Sequence, residues 1–211
     1  MKKTFQFVFI CLVLWGFSIN TVIAQSIDQF RFSSDTTGGI AGIKLTNFNG
    51  SGSAEIPLEV NGLPVRVLGR SIFVEKRLDT ITIHDNIVTI ENDAFRGNLL
   101  TSLTIPNSVT SIGESAFKNN LLSSVTISNT ITSISNWAFQ NNLITSIIIP
   151  NSVTSIGRDA FLNNPITSIT IGANVRMHDN SFPGNFRKVY KNTSGTYTRP
   201  NANSTQWTRR R

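Results

Sequence analysis

Apolar residues return at a fixed interval along most of this chain. Ile83, Ile105, Ile127, Ile149 and Ile171 stand 22 residues apart, and the stretch "IPNSVTSIG" occurs letter for letter at 105–113 and 149–157. One unit, "LTSLTIPNSVTSIGESAFKNN" from Leu100, is apolar at Leu100, Leu103, Ile105, Val109, Ile112, Ala116 and Phe117. The same columns hold Leu122, Val125, Ile127, Ile131, Ile134, Ala138 and Phe139, and then Ile144, Ile147, Ile149, Val153, Ile156, Ala160 and Phe161. A further copy runs from Leu78 through Ile81, Ile83, Ile87, Ile90 and Ala94 to Phe95.

The local reading follows from the period within each unit. "SLTI" alternates and is β-branched, which predicts a strand with Leu103 and Ile105 inward and Ser102 and Thr104 outward. Pro106 has no N–H for a ladder and ends that strand. "SVTSI" predicts a second short strand with Val109 and Ile112 inward. "GESAFKNN" predicts a turn of helix or a tight bend that drops Phe117 into the core. A period of about 20–29 residues is that of leucine-rich-repeat solenoids, in which each coil buries its apolar edge only against its neighbours. Phe95, Phe117, Phe139 and Phe161 are then expected to form a spine. Asn98, Asn120, Asn142 and Asn164 share another column, as surface turn residues or as an amide ladder that satisfies the backbone of successive coils.

The ends depart from the repeat. Upstream, Val65, Leu68 and Phe73 fall 22 residues before Ile87, Ile90 and Phe95, and Phe30 to Leu45 around "DTTGG" reads as strand–turn–strand. Downstream, "IGANVRMHDNSF" is a last coil one residue short, with Phe182 in the spine column. "VYKNTSGTYTRP" and "STQWT" read as short strands around Gly195. The first 24 residues carry Lys2 and Lys3, an apolar run from about Phe5 to Phe17, and Val22 and Ala24 at peptidase spacing, the pattern of a cleaved secretory signal. The run is short for a membrane span. The expected organisation is a signal peptide (1–24), an N-terminal cap and opening strand (25–60), the solenoid (61–182), and a C-terminal cap with a basic tail (183–211). The fold is expected to be mainly β, with short strands and short helical turns in each coil and β caps at both ends.

These units, with their paired Ala-Phe, resemble the BspA-like bacterial leucine-rich-repeat family, the treponemal type of repeat. "AEIPLEVNGLPV" and "IGANV…NSFPGNF…GTYTR" are similar to that family's flanks, so the likeness runs from about Gly38 to Arg199. The resemblance implies a protein secreted by a bacterium or held at its surface or in its periplasm. It implies an adhesin-like role toward host proteins such as fibronectin or fibrinogen, or toward bacterial surface proteins. It brings no catalytic residues.

Composition adds to this picture mainly by exclusion. Charged residues make up only 15% of the chain, with Ser, Thr and Asn in their place. The single cysteine, Cys11, lies in the signal, so the mature chain offers no disulfide, catalytic thiol or thiolate ligand. His84 and His178 are far apart and have no acidic cluster beside them, so no metal site or other cofactor is expected. Ser and Thr recur by repeat position, as strand and turn residues do, whereas a nucleophile is a singular residue with its own base. No enzyme is expected.

Two departures from the repeat and one asymmetry of charge supply candidates for binding. The outward face carries Ser102, Thr104, Ser124, Thr126, Ser146 and Thr170, but Ile148 where the repeat has Thr. Trp137 stands in a column otherwise of Asp93, Ser115 and Asp159. Each is either an apolar anchor for a partner or a residue packed against a neighbour. From Arg176 onward eight basic residues face one acidic residue, whereas Gln25 to Val175 holds nine basic and eleven acidic. Arg187, Lys188, Lys191, Arg199, Arg209, Arg210 and Arg211 therefore make a tail suited to an anionic glycan or lipopolysaccharide, the alternative to a protein partner, or else a solubilising end. A secretion signal disfavours nucleic acid.

Overall fold

A computed structural model describes residues 27–36, 41–178 and 180–210. The expected signal (1–24), the turn at 37–40 and Arg211 lie outside the described residues. A 3-10 turn (Ile27–Gln29) leads into β1 (Phe30–Asp35) and β2 (Gly42–Phe48), which pair antiparallel. β3 (Glu59–Val60) and β4 (Leu63–Leu68) form a tight hairpin. Its loop is Asn61-Gly62, both left-handed at φ 54° and 75°, as a two-residue primed turn requires.

The coils that follow supply strands alternately to two rows. In chain order these are β5 (Thr89–Ile90), β6 (Ser102–Thr104), β7 (Ser111–Ile112), β8 (Ser124–Thr126), β9 (Ser133–Ile134), β10 (Ser146–Ile148), β11 (Ser155–Ile156), β12 (Ser168–Ile171) and β13 (Arg176–Met177). Pairing between coils is parallel and one repeat apart, as in Ser102 with Ser124 and Ser146 with Ser168. The second strand of each coil is shorter than the sequence predicts, because the residues before it are spent on a turn closed by Val109 N–H to the Pro106 carbonyl. Of the two readings of "GESAFKNN", the tight bend is realised. Lys118 N–H bonds to the Ser115 carbonyl, and Asp93, Ser115, Trp137 and Asp159 are all left-handed there.

This bend points each Phe inward. The rings of Phe73, Phe95, Phe117, Phe139, Phe161 and Phe182 stack at 4.8–5.6 Å, close to the strand spacing of about 4.8 Å that the coils impose. Phe48 extends the stack at one end, 5.3 Å from Phe73, and Phe186 at the other, 5.0 Å from Phe182. The Asn column is the ladder. Each side-chain oxygen accepts the N–H of Leu78, Leu100, Leu122 or Ile144, one coil back, and each amide nitrogen donates to two Phe carbonyls, its own coil's and the previous one's. Gly113 and Gly157 are glycine because the coil before presses on them. A Cβ would come within 2.4 and 2.6 Å of the Asn92 and Asn136 nitrogens.

Around the coil of β8 and β9 the ladders break. β7 and β9 share no sheet, nor do β8 and β10. Gly113 and Gly157 donate backbone N–H groups to the Ile90 and Ile134 carbonyls at 2.8 Å, but Ser135 offers its hydroxyl to the Ile112 carbonyl at 2.6 Å. Thr130 likewise covers the Val109 carbonyl through its hydroxyl, at 2.7 Å. Side-chain donors thus replace part of the backbone ladder in this unit, which carries Ser128 and Ser135 where the repeat phrase has Pro and Gly.

The two ends differ from the coils. β2 joins β4 in parallel, so the odd-numbered row continues into the N-terminal hairpin, and Lys44 Nζ clamps it to Glu91 at 2.7 Å. At the other end β14 (Gly195–Thr198) pairs antiparallel with β12 and with β15 (Thr208–Arg209). Two sequence expectations fail here. Val189 and Tyr190 are not strand but part of a short helix, α1 (Phe186–Tyr190). Helical geometry lets Tyr190 turn inward, where its hydroxyl accepts the Val175 N–H at 3.0 Å and donates to the Gly172 carbonyl. Of "STQWT" only Thr208 is strand, and Trp207 is buried, edge-on to Phe186 at 5.2 Å.

Candidate interaction surface

Strand alternation sends Leu103, Ile147 and Ile169 into the core and turns the intervening residues of β6, β8, β10 and β12 outward. Ser102, Thr104, Ser124, Thr126 and Ser146 are all exposed. Ile148 is 70% exposed, the highest value among the large apolar residues described. It is therefore not packed against a neighbour. Thr170 is only partly exposed, because β14 lies beside it and Thr196 shares a hydrogen bond with its hydroxyl at 2.9 Å.

The break between β8 and β10 opens a groove of about 560 Å³ in this face. Thr126, Ser146, Ile148, Asn129 and Thr170 line it, and Val125 at its floor is only partly buried. Among the described residues, hydroxyls, one amide and aliphatic side chains line the groove, and no charged group does. Such a lining suits hydrogen bonding and apolar contact and gives no electrostatic steering.

A second apolar feature escapes the sequence reading. Leu99, Leu121 and Leu143 are 43%, 43% and 51% exposed, each three residues ahead of the first face residue of its strand. Their backbone N–H groups bond the previous coil, through the Leu78, Leu100 and Leu122 carbonyls, which leaves the side chains outward. The signal was in the sequence as a 22-residue recurrence of Leu beside the inward column of Leu100, Leu122 and Ile144.

Trp137 does not join this surface. It is half-buried on the bend, and its indole N–H bonds to Asp159 at 3.2 Å, so packing against a neighbour is what the structure shows. The basic candidates divide. Arg187, Lys188 and Lys191 are exposed around α1. Arg209 and Arg210 are exposed at β15, with the Arg209 guanidinium on the Ser194 carbonyl. Arg199 leaves the set, because it is 6% exposed. Its guanidinium donates to the Ile166 carbonyl and to the Ser204 carbonyl at 2.8 Å, and lies 5.0 Å over the Trp207 ring. Burial pushes its pKa down.

The histidines are held apart. His84 takes the position of Pro106 in the repeat. Its Nε2 lies 3.1 Å from the Pro57 carbonyl and its Nδ1 accepts the Asn86 N–H at 3.3 Å. Both partners have fixed roles, so the ring is the neutral Nε2–H form. Its pKa is lowered, chiefly by burial, against the opposing pull of the Pro57 bond and Asp85. Among the described residues no group of His, Cys, Asp and Glu could hold a metal ion, and no helix is long and apolar enough to cross a membrane.

Comparison with known proteins bears on the fold. The family described as BspA type Leucine rich repeat region matches residues 66–187 in 6 copies. No curated protein matches the chain. Among solved structures, the chain is similar to the pneumococcal vaccine antigen PcpA, with 19% identity and a TM-score of 0.50 over 74% of this chain and 50% of that one. It is also similar to a leucine-rich cell surface protein of Faecalibacterium prausnitzii (22% identity, TM-score 0.44, 67% of this chain and 52% of that one). A leucine-rich repeat protein of T. pallidum gives 18% identity and a TM-score of 0.34, over 62% of this chain and 83% of that one. The chain spans about half the length of the first two.

Proposed function

The chain belongs to the BspA type leucine-rich repeat family, and from that premise we propose that it is a secreted or surface-held bacterial binding module that grips a protein partner on its strand face. The role is adhesin-like, toward a host or bacterial surface protein, and involves binding without turnover. The reading of residues 1–24 as a secretion signal supports the location. The observation that carries the reading is Ile148, 70% exposed beside the groove between β8 and β10. An apolar side chain there has no folding role, whereas an anchor for a partner needs this exposure and a surrounding set of hydroxyls. Ser102, Thr104, Ser124, Thr126 and Ser146 provide that set, and Leu99, Leu121 and Leu143 are further exposed apolar side chains on the coils.

The test is binding to immobilised fibronectin, fibrinogen and bacterial surface protein extracts. A partner held by this face stays bound at raised salt, because no charge is involved. Ile148→Asp weakens it, and Arg209→Gln with Arg210→Gln does not. Binding that collapses with salt and ignores Ile148→Asp rejects the face as the binding surface.

A further inference from the structure

A cleft of about 620 Å³ opens between β13 and α1, away from the groove between β8 and β10. Arg176 enters it from the strand. Arg187 and Lys188 enter from the helix, and Lys191 from the residue that ends it. Among the described residues no carboxylate lines it. Its floor is apolar and closed, with Val175, Met177 and Tyr190 all buried. Part of this charge has a local explanation, since cations in the last turn of a helix complement its carbonyls. That covers Arg187 and Lys188, and Arg187 is in any case engaged within the protein. It extends to Lys191 at the helix C-cap but does not cover Arg176, on a strand of the solenoid. Cations from separate elements that converge without an acidic counterpart repel one another, and a bound anion relieves that repulsion.

We propose that this cleft binds an acidic sugar of a glycan chain, with Arg176, Lys188 and Lys191 holding its carboxylate or sulfate groups. The volume lies in the range of about 300–1,000 Å³ typical of small-ligand pockets, enough for part of a chain and not for a folded partner. Asn192 at the rim supplies an exposed amide for sugar hydroxyls. The shape selects among anions. A bilayer surface meets protruding cations and cannot enter a cleft. Single-stranded nucleic acid needs exposed rings for base stacking, and the one aromatic lining residue, Tyr190, is buried.

The test titrates the full chain with a sulfated heparin oligosaccharide by calorimetry and thermal shift, with phosphatidylglycerol vesicles and a single-stranded oligonucleotide in parallel. The oligosaccharide is expected to bind and to raise Tm, and to lose affinity as salt rises from about 0.1 M to about 1 M and the Debye length falls from about 10 to about 3 Å. The combined Arg176→Gln, Lys188→Gln, Lys191→Gln variant is expected to lose about tenfold or more in affinity. Without ligand at low salt it should melt no lower than the parent, which separates lost binding from lost folding. Arg209→Gln with Arg210→Gln should bind as the parent does. The proposal is overturned if the oligosaccharide fails to bind, if the triple variant binds it unchanged, or if vesicles or the oligonucleotide compete for the same three residues with equal affinity.

Discussion

The side-chain amide of Asn142 donates to the Phe117 carbonyl at 3.0 Å, across the boundary between two coils. The same nitrogen reaches the Phe139 carbonyl at 3.1 Å, and the oxygen accepts the Leu122 N–H at 3.0 Å. One buried side chain thus closes groups that a bend leaves without a ladder partner. Asn142→Ala strands the Leu122 N–H, while the Phe117 and Phe139 carbonyls keep a donor in Asn120 and Asn164, and is expected to cost about 1–3 kcal/mol. Asn142→Asp keeps the shape but sets a carboxylate against the two carbonyls, so it should cost at least as much. Hydrogen exchange at the Leu122 amide is the local check. Unchanged protection there in both variants would contradict the ladder.

Phe139 stacks between Phe117 at 5.6 Å and Phe161 at 5.3 Å, fully buried. Phe139→Ala opens a hole between coils that neighbours on a rigid ladder cannot fill, with an expected loss of about 3–5 kcal/mol. Thr126→Ala, on the exposed face, should change stability by less than about 0.5 kcal/mol. Denaturant melts of both variants rank them.

Ile148→Thr restores the residue of the neighbouring copies at a position with no packing to lose. Its stability should stay within about 0.5 kcal/mol of the parent. A larger drop in a urea melt would mean that Ile148 is buried in solution, and would remove it as an anchor.

Arg199→Met keeps much of the aliphatic stem but leaves the Ile166 and Ser204 carbonyls without their charged donor. The expected cost is about 1.5–3 kcal/mol. Lysine should not rescue it, because a single ammonium cannot span both carbonyls and cover the Trp207 face as the planar guanidinium does. A surface role for Arg199 predicts no change of stability in either variant.

His84 gives the fold a pH dependence. Its pKa is lowered in the folded chain below the ordinary 6.5, so the unfolded chain binds the proton more readily. The neutral ring's contribution is complete above pH 6.5 and is lost as pH falls through the lower folded value. Protonation would also set an Nδ1–H against the Asn86 N–H that it now accepts. The stability difference between parent and His84→Gln should be flat above pH 6.5, shift against the parent as pH falls from 6.5 to the folded value, and level off below it. A difference that stays constant into the acid range refutes this.

Whatever recurs by copying was legible in the 22-residue repeat. The inward columns, the Phe stack through Phe182 and the shared place of the Asn side chains follow from a 22-residue period, because each coil meets only its neighbours and every contact recurs. Even the choice of a tight bend was within the two readings of "GESAFKNN". Tertiary structure decided what has no copy to compare. Val189 and Tyr190 are helical because Tyr190 closes the last coil through Gly172 and Val175, a contact made once. Arg199 is buried because Trp207 and the Ile166 carbonyl close over it from distant parts of the chain. Exposure, too, was settled only in three dimensions. Ile148 and Trp137 were equal departures from the repeat, but the broken ladder beside β10 leaves one open while Asp159 holds the other. Lys188 and Arg176 face one cleft only because the final coil stops short and the chain turns back over its edge. A periodic sequence specifies nearest-neighbour packing, and the ends and faults of the array are fixed by contacts that the period does not contain.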